Sequence, residues 1–137
     1  MDTVGKIHSF QSLGAVDGPG LRCVVFMQGC PLRCIYCHNP DAQSFAGGEE
    51  YTPEKMAQKI LRYKPYIKDG GVTVSGGEPL VRKGVEQLVK GLKAIPGIRK
   101  VTMTTNAVLL EQQLPALLEA GLDSVNISLD TLRPEVF

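Results

Sequence analysis

The segment Cys30-Pro31-Leu32-Arg33-Cys34-Ile35-Tyr36-Cys37-His38-Asn39 places three cysteines within eight positions, spaced x3 then x2. Clustered thiolates are ligands for iron and zinc. A 4Fe-4S cluster is usually held by four thiolates, one per iron, so three leave one iron open to an exogenous chelating ligand. Other readings compete with this one. Cys34-Ile35-Tyr36-Cys37-His38 also fits the c-type haem attachment pattern, but attachment requires export and leaves Cys30 without a role. A zinc site built from the three cysteines and His38 asks the adjacent residues Cys37 and His38 to ligate one metal, whereas structural zinc sites usually come as separated pairs. Inert buried thiols are disfavoured because Pro31, Arg33 and Asn39 mark a loop. Cys23 is the opposite case: it lies inside an apolar run and reads as a small core hydrophobe.

A second stretch able to do chemistry is Ser75-Gly76-Gly77-Glu78-Pro79. Its plain reading is a turn. At the C-terminal end of a strand, however, two glycines let a ligand approach the backbone, and the neighbouring carboxylate of Glu78 can pair with an amino group. The chain has neither a GxGxxG fingerprint nor a GxxxxGK phosphate loop, so nucleotide binding of those types is not indicated.

These motifs need elements to position them. The first twenty residues are Gly-rich, end in Asp17-Gly18-Pro19-Gly20, and are assigned to a loop. Leu21–Phe26 reads as a short buried strand that delivers the cysteines from its C-terminal end. Thr52 is placed to cap a helix with Pro53 at its first position and Glu54 beside it; Met56, Ala57, Ile60 and Leu61 supply the apolar face. Val72–Val74 is the next strand and runs into the glycine motif. Val85, Leu88, Val89 and Leu92 recur at i, i+3, i+4 and i+7, which predicts a helix stopped by Pro96-Gly97. Lys100–Thr105 is a third strand ending in Thr104-Thr105-Asn106. Pro115 is expected in the first turn of a short helix reaching Ala120, and Ser124–Leu129 is a fourth strand followed by Asp130. Strands alternating with helices imply a parallel α/β sheet with right-handed crossovers, whose C-terminal end carries the polar motifs. Four parallel strands cannot close a barrel, so one edge stays open.

A chain of 137 residues is read as one domain spanning 1–137. Hydrophobic residues at 43% and charged ones at 21% exclude disorder, and fifteen Lys and Arg against fourteen Asp and Glu, without charge blocks, disfavour nucleic acid and anionic membranes as partners. The absence of a membrane-length apolar run and of a secretory pattern predicts a cytoplasmic protein, where clustered cysteines point to metal or catalysis and not to disulfides. The sequon Asn126-Ile127-Ser128 carries little weight inside a strand.

The x3, x2 cysteine spacing with an aromatic residue before the last cysteine, followed after the next strand by Gly76-Gly77-Glu78-Pro79, resembles the radical S-adenosylmethionine superfamily. The resemblance implies a parallel (βα)n partial barrel, here truncated to about four βα units. It implies that Cys30, Cys34 and Cys37 hold a 4Fe-4S cluster whose free iron takes the amino and carboxylate groups of S-adenosylmethionine, and that reduction yields methionine and a 5′-deoxyadenosyl radical. Tyr36, Cys37 and His38 would line the adenine, Gly76, Gly77, Glu78 and Pro79 would receive the methionyl amino group, and Ser128 with Asp130 would lie near ribose or carboxylate. Thr104 and Asn106 complete the cofactor set at the third strand end.

Asp17-Gly18-Pro19-Gly20-Leu21-Arg22, Phe26, Gly29 and His38-Asn39 are similar, through about Pro79, to the glycyl-radical-enzyme activases of the pyruvate formate-lyase type. That likeness implies a peptide glycine as substrate, held by Asp17, Gly18, Pro19, Gly20 and Arg22, a glycyl-radical enzyme as partner, and a flavodoxin or ferredoxin-like reductant. From Val81 onward, through Ile95–Ile98, Thr104–Asn106, Glu119–Asp123 and Val125–Asp130, the chain is more similar to the GTP 3′,8-cyclases of molybdenum cofactor synthesis. An activase is expected to carry aspartates, part of a cation site, where Thr104 and Ser128 stand, and Ala107 occupies the place of the cyclases' usual glycine. The patterns meet at Ser75–Leu80, as in a chimera, an engineered fragment or an unusual natural truncation. Such a chain could run activase chemistry, run a GTP-cyclase-like radical reaction, or bind cluster and cofactor without turnover, and its open sheet edges invite a homodimer.

Overall fold

A computed structural model describes residues 4–129, Arg133 and Glu135. The elements in chain order are β1 (Gly5–Gly14), β2 (Arg22–Met27), β3 (Glu49–Tyr51), α1 (Pro53–Leu61), α2 (Lys64–Ile67), β4 (Gly71–Ser75), α3 (Val85–Lys93), β5 (Val101–Thr105), α4 (Leu110–Glu119) and β6 (Ser124–Ile127). They form one sheet in the order β3-β1-β2-β4-β5-β6. β2, β4, β5 and β6 run parallel, as the alternation of strands and helices predicts.

Paired residues in a parallel ladder share a face, and the register divides this sheet by chemistry. Cys23, Val25, Met27, Val72, Val74, Val101 and Met103 turn to the helix side, where Met56, Ile60, Val85, Leu88, Val89, Leu92 and Leu117 close over them to form the core. The opposite face carries Arg22, Val24 and Phe26 on β2, Thr73 and Ser75 on β4, Thr102 and Thr104 on β5, and Ser124 and Asn126 on β6. A sheet with so many polar side chains on one face is built to hold something other than an apolar layer there.

Local signals explain the helices. Thr52 caps α1, its hydroxyl accepting from the Lys55 amide at 3.3 Å, with Pro53 at the first position. α3 buries Val85, Leu88, Val89 and Leu92, the four residues of its predicted stripe.

Three expectations need correction. Gly5–Gly14 is a strand, not a loop: it pairs antiparallel with β2, with register shifts between Ile7 and Ser9 and between Gln11 and Gly14. Those irregularities break the alternation that would have marked it. β3 escapes notice because its Glu49 and Glu50 are exposed and it exists by pairing with Gly5–Ile7. Pro115 sits inside α4, which begins at Leu110. The bond it forfeits is to the carbonyl of Glu111, an exposed residue whose carbonyl lies in the first turn, so water can replace it. Among the described residues no helix is long and apolar enough to cross a membrane.

Candidate functional site

The cysteine loop leaves the C-terminal end of β2 and is stitched closed at its base. The Gln28 side-chain amide donates to the carbonyls of Asp41 (3.2 Å) and Ser44 (2.6 Å). The amides of Gly29 and Cys30 donate to Ala42 (2.6 Å) and Gln43 (2.9 Å). Within the loop, Cys37 N donates to Cys34 O at 3.2 Å, closing one turn, and Arg33 Nη1 donates to the carbonyls of Cys30 and Leu32, both at 2.7 Å. Cys30 and Cys37 are half-buried and Cys34 is exposed. Burial pushes the Cys30 thiol up from its ordinary value; an amide bond at Leu32 opposes this, and the charges of Glu78, Cys34 and Cys37 add to it. Glu78, Cys34 and Cys37 therefore lie within electrostatic reach of Cys30. Among the described residues no three His, Cys, Asp or Glu side chains are gathered to hold a single metal ion.

Gly76 (φ 69°) and Gly77 (φ 43°) follow β4 in the left-handed region. A Cβ at Gly77 would stand 2.5 Å from the Gly29 carbonyl oxygen, and one at Gly76 would stand 2.8 Å from Phe26. The glycines are thus required first by the close passage of the turn against the end of β2, where Glu78 N donates to Gly29 O at 3.0 Å. Glu78 itself is buried, and its carboxylate accepts from Leu80 N (3.1 Å), Asn106 N (2.8 Å) and the Thr105 hydroxyl. It clamps the ends of β4 and β5 together, with its donors supplied from inside the chain. Asn106 caps the next turn, its Oδ1 accepting from Val108 N at 3.0 Å, while Ala107 is held at φ 67°.

Cys30–Cys37, Gly76–Pro79 and Thr105–Asn106 are thereby brought to one end of the parallel strands. Tyr36 and His38 are exposed on the loop, Thr104 is half-buried, and Ser128 is exposed with its amide on Thr105 O at 2.9 Å. Asp130 lies outside the described residues. Asp17–Gly20 is at the opposite end, ahead of β2, folded across the polar face. The Asp17 carbonyl accepts from Thr73 Oγ1 (2.8 Å) and Asn126 Nδ2 (3.4 Å). Arg22 is wholly buried and donates to Thr73 Oγ1 (2.6 Å), Pro19 O (2.8 Å), Thr102 Oγ1 (3.0 Å) and Val72 O (3.3 Å). Burial lowers its pKa, and the Asp17 carboxylate opposes that shift.

Sequence reasoning passed over Gln28, Thr73 and Thr102, whose roles depend on partners far away along the chain. It also passed over Arg82, whose guanidinium lies 5.3 Å over the Phe45 ring with Nε and Nη2 buried and without partners.

Residues 24–136 match the family described as the Radical SAM superfamily. The chain belongs to that superfamily. This radical SAM chain therefore comes with a 4Fe-4S cluster and S-adenosylmethionine as its cofactor pair. It is 59% identical over 81 residues to a pyruvate formate-lyase-activating enzyme of Clostridium pasteurianum, covering 58% of this chain and 34% of the relative. The corresponding enzymes of Staphylococcus epidermidis and Staphylococcus aureus (strain USA300) are 55% identical over 94 residues and 54% identical over 93 residues. The chain spans little more than a third of the length of these curated relatives, 34% to 38%.

Proposed function

We propose that this radical SAM chain is the cluster-bearing unit of a glycyl-radical-enzyme activase. The observation that carries the reading is the joining, at one end of the parallel sheet, of the Cys30–Cys37 loop, the Gly76–Pro79 turn and the Thr105–Asn106 strand end through Glu78. Cys30, Cys34 and Cys37 are the ligands. Three cysteines on one short loop, Cys34 exposed and Cys30 and Cys37 half-buried, suit a body that takes one thiolate per iron. When bound, the cluster and S-adenosylmethionine supply a reductive cleavage that yields methionine and a 5′-deoxyadenosyl radical, able to take hydrogen from a peptide glycine.

The chain's own residues bind and orient. With the Glu78 carboxylate committed, the backbone of Gly76 and Gly77 is left to receive the methionyl amino group. Tyr36 and His38 line the adenine, while Thr104, Asn106, Ser128 and Asp130 serve ribose and carboxylate. Thr104 and Ser128 are neutral and bring no carboxylate for a cation beside the cofactor. Asp17–Gly20 forms the floor of the polar face and holds the backbone of the substrate peptide; Arg22 acts through that floor by fixing its carbonyls. The unit is a single domain working in the cytoplasm, supplied by a one-electron reductant, with a glycyl-radical enzyme as partner. Its β6 edge pairs two copies.

A second reading separates holding the cofactors from using them. In it the chain is a chimera or a truncated module, its second half of GTP-cyclase type, that holds both cofactors without turnover. One experiment decides between them. The chain is reconstituted anaerobically with iron and sulfide, S-adenosylmethionine and a low-potential reductant are added, and 5′-deoxyadenosine is measured. The activase reading expects product, and Cys34→Ala should remove both the cluster's absorbance and the product. An intact cluster without product would leave the passive module; an intact 4Fe-4S site in Cys34→Ala would refute the ligand assignment.

A further inference from the structure

We propose that the helix side of the sheet carries a binding site for a short-chain aliphatic monocarboxylate, with Arg82 as the group that receives the carboxylate. A cavity of about 280 Å³ opens where the starts of β1, α1 and α3 meet the end of β2. Its walls divide by chemistry. Ile7, Met27, Met56, Val81, Val85 and Leu88 supply an apolar end, Arg82 and Lys83 supply two cations, and among the described residues no Asp or Glu lines it. Met27, Met56, Val85 and Leu88 belong to the core layer under the helices, so the cavity lies across the sheet from the polar face with its Arg22, Thr73 and Thr102. Arg82 carries the inference. Its Nε and Nη2 are buried and have no partner among the protein's groups. The neighbours that enclose them offer no free acceptor: the Phe45 ring lies 5.3 Å from the guanidinium carbon, and Gly29, where a Cβ would stand 2.5 Å from Nη2, gives its carbonyl to Glu78 N. A buried pair of cationic donors without an acceptor is costly, and a protein keeps one where a bound group supplies the acceptor. Nε and Nη2 together form the edge of the guanidinium that takes both oxygens of a carboxylate side-on. A small turn of the side chain brings that edge to the cavity it lines. Lys83, and the start of α3, where Gly84 has no side chain to cap the first amides, add positive potential on the same side. The apolar end selects the tail: a wholly polar anion such as phosphate would leave those walls wet, whereas a short alkyl chain fills them.

The test titrates the anaerobically reconstituted full chain with sodium hexanoate at low ionic strength, by calorimetry and by the thermal midpoint. Hexanoate should release or take up heat at a single site and raise the midpoint. Hexanol, which keeps the tail, and inorganic phosphate, which keeps the charge, should each bind at least about tenfold more weakly. Arg82→Met should lose hexanoate binding by a similar factor, and Arg82→Lys, with a point charge in place of the fork, should weaken it severalfold. With no carboxylate present, Arg82→Met should melt at or above the midpoint of the unsubstituted chain, because it removes a buried charge that has no partner. Leu88→Phe, which fills the apolar end and leaves the guanidinium in place, should also lose hexanoate. Silence from hexanoate on the unsubstituted chain would overturn the proposal, as would unchanged affinity in Arg82→Met or in Leu88→Phe. Phosphate binding as tight as hexanoate would overturn the ligand class. An Arg82→Met chain that melts lower or fails to fold without carboxylate would show that the guanidinium serves the fold through Phe45, and would overturn the site as well. None of these readouts involves cleavage of S-adenosylmethionine, so the site and the activase reading stand or fall separately.

Discussion

Arg22 spends its guanidinium on four oxygens, three of them on β4 and β5 and one in the loop before β2. A lysine cannot reproduce that fork, because a single ammonium presents its donors at one point. Arg22→Lys and Arg22→Met should therefore each lose about 2–4 kcal/mol in urea unfolding of the metal-free chain, from broken charged bonds and stranded threonine hydroxyls. A loss under 1 kcal/mol would mean that the floor does not depend on Arg22. Burial of Cys23 offers a pH signature. The thiol is pushed from its ordinary 9.0 up to about 11 and donates to Ser12 O. A raised acid favours the folded state while protonated, so its contribution is complete below pH 9 and is lost as pH rises toward 11. The urea midpoint should fall across that window, and Cys23→Ala, although less stable at pH 7, should show a shallower decline. Parallel curves would refute the assignment, and the other cysteines cancel in the comparison. Cys23 was readable in the sequence because its neighbours are apolar. Arg22 was not: an arginine between a glycine loop and a strand is normally a solvated end, and its burial here depends on Thr73 and Thr102, 51 and 80 positions away.

The turns at the strand ends are elements in their own right, and their backbone angles say which substitutions they tolerate. Ala107, at φ 67°, is an L-residue in left-handed territory, which costs about 1 kcal/mol against glycine. Ala107→Gly should raise the thermal midpoint by several degrees, a change calorimetry reads directly; no change, or a fall, would show that the turn is not strained. Gly77→Ala should do the reverse, since its Cβ would collide with the Gly29 carbonyl that anchors Glu78, and cluster loading should fall with it. The second turn could be located from the sequence by Gly76-Gly77 and Pro79, but not its reason for needing glycine, because the close neighbour is Gly29, just past β2 and 48 residues upstream of Gly77. The same limit hid β1 and β3, which exist by pairing and not by pattern. α4 erred the other way: Pro115 is a local breaker overridden by burial of Leu117.

Among the described residues the sheet presents two unlike edges. β3 is three residues long with Glu49 and Glu50 exposed, a short and charged border that resists strand addition. β6 is the contrary: among the described residues no strand lies beyond it, and Ile127 and Leu129 are 56% and 55% exposed at its end. Pairing of copies should therefore run β6 against β6 about a twofold axis, the isologous arrangement in which one patch meets itself. A mixed β3-to-β6 contact would place Glu49 and Glu50 against apolar side chains and would propagate instead of closing. Light scattering on size-separated protein should show a dimer that dissociates on dilution, and Ile127→Lys, which puts a charge on the edge without touching the core, should give a monomer. A monomer throughout at working concentration, or a dimer unaffected by Ile127→Lys, would remove β6 as the pairing edge. The outcome bears on the site as well as on assembly, because Asn126 on β6 and Ser128 just past it lie beside Thr104 and Thr105, so a partner strand there would wall the polar face on its open side.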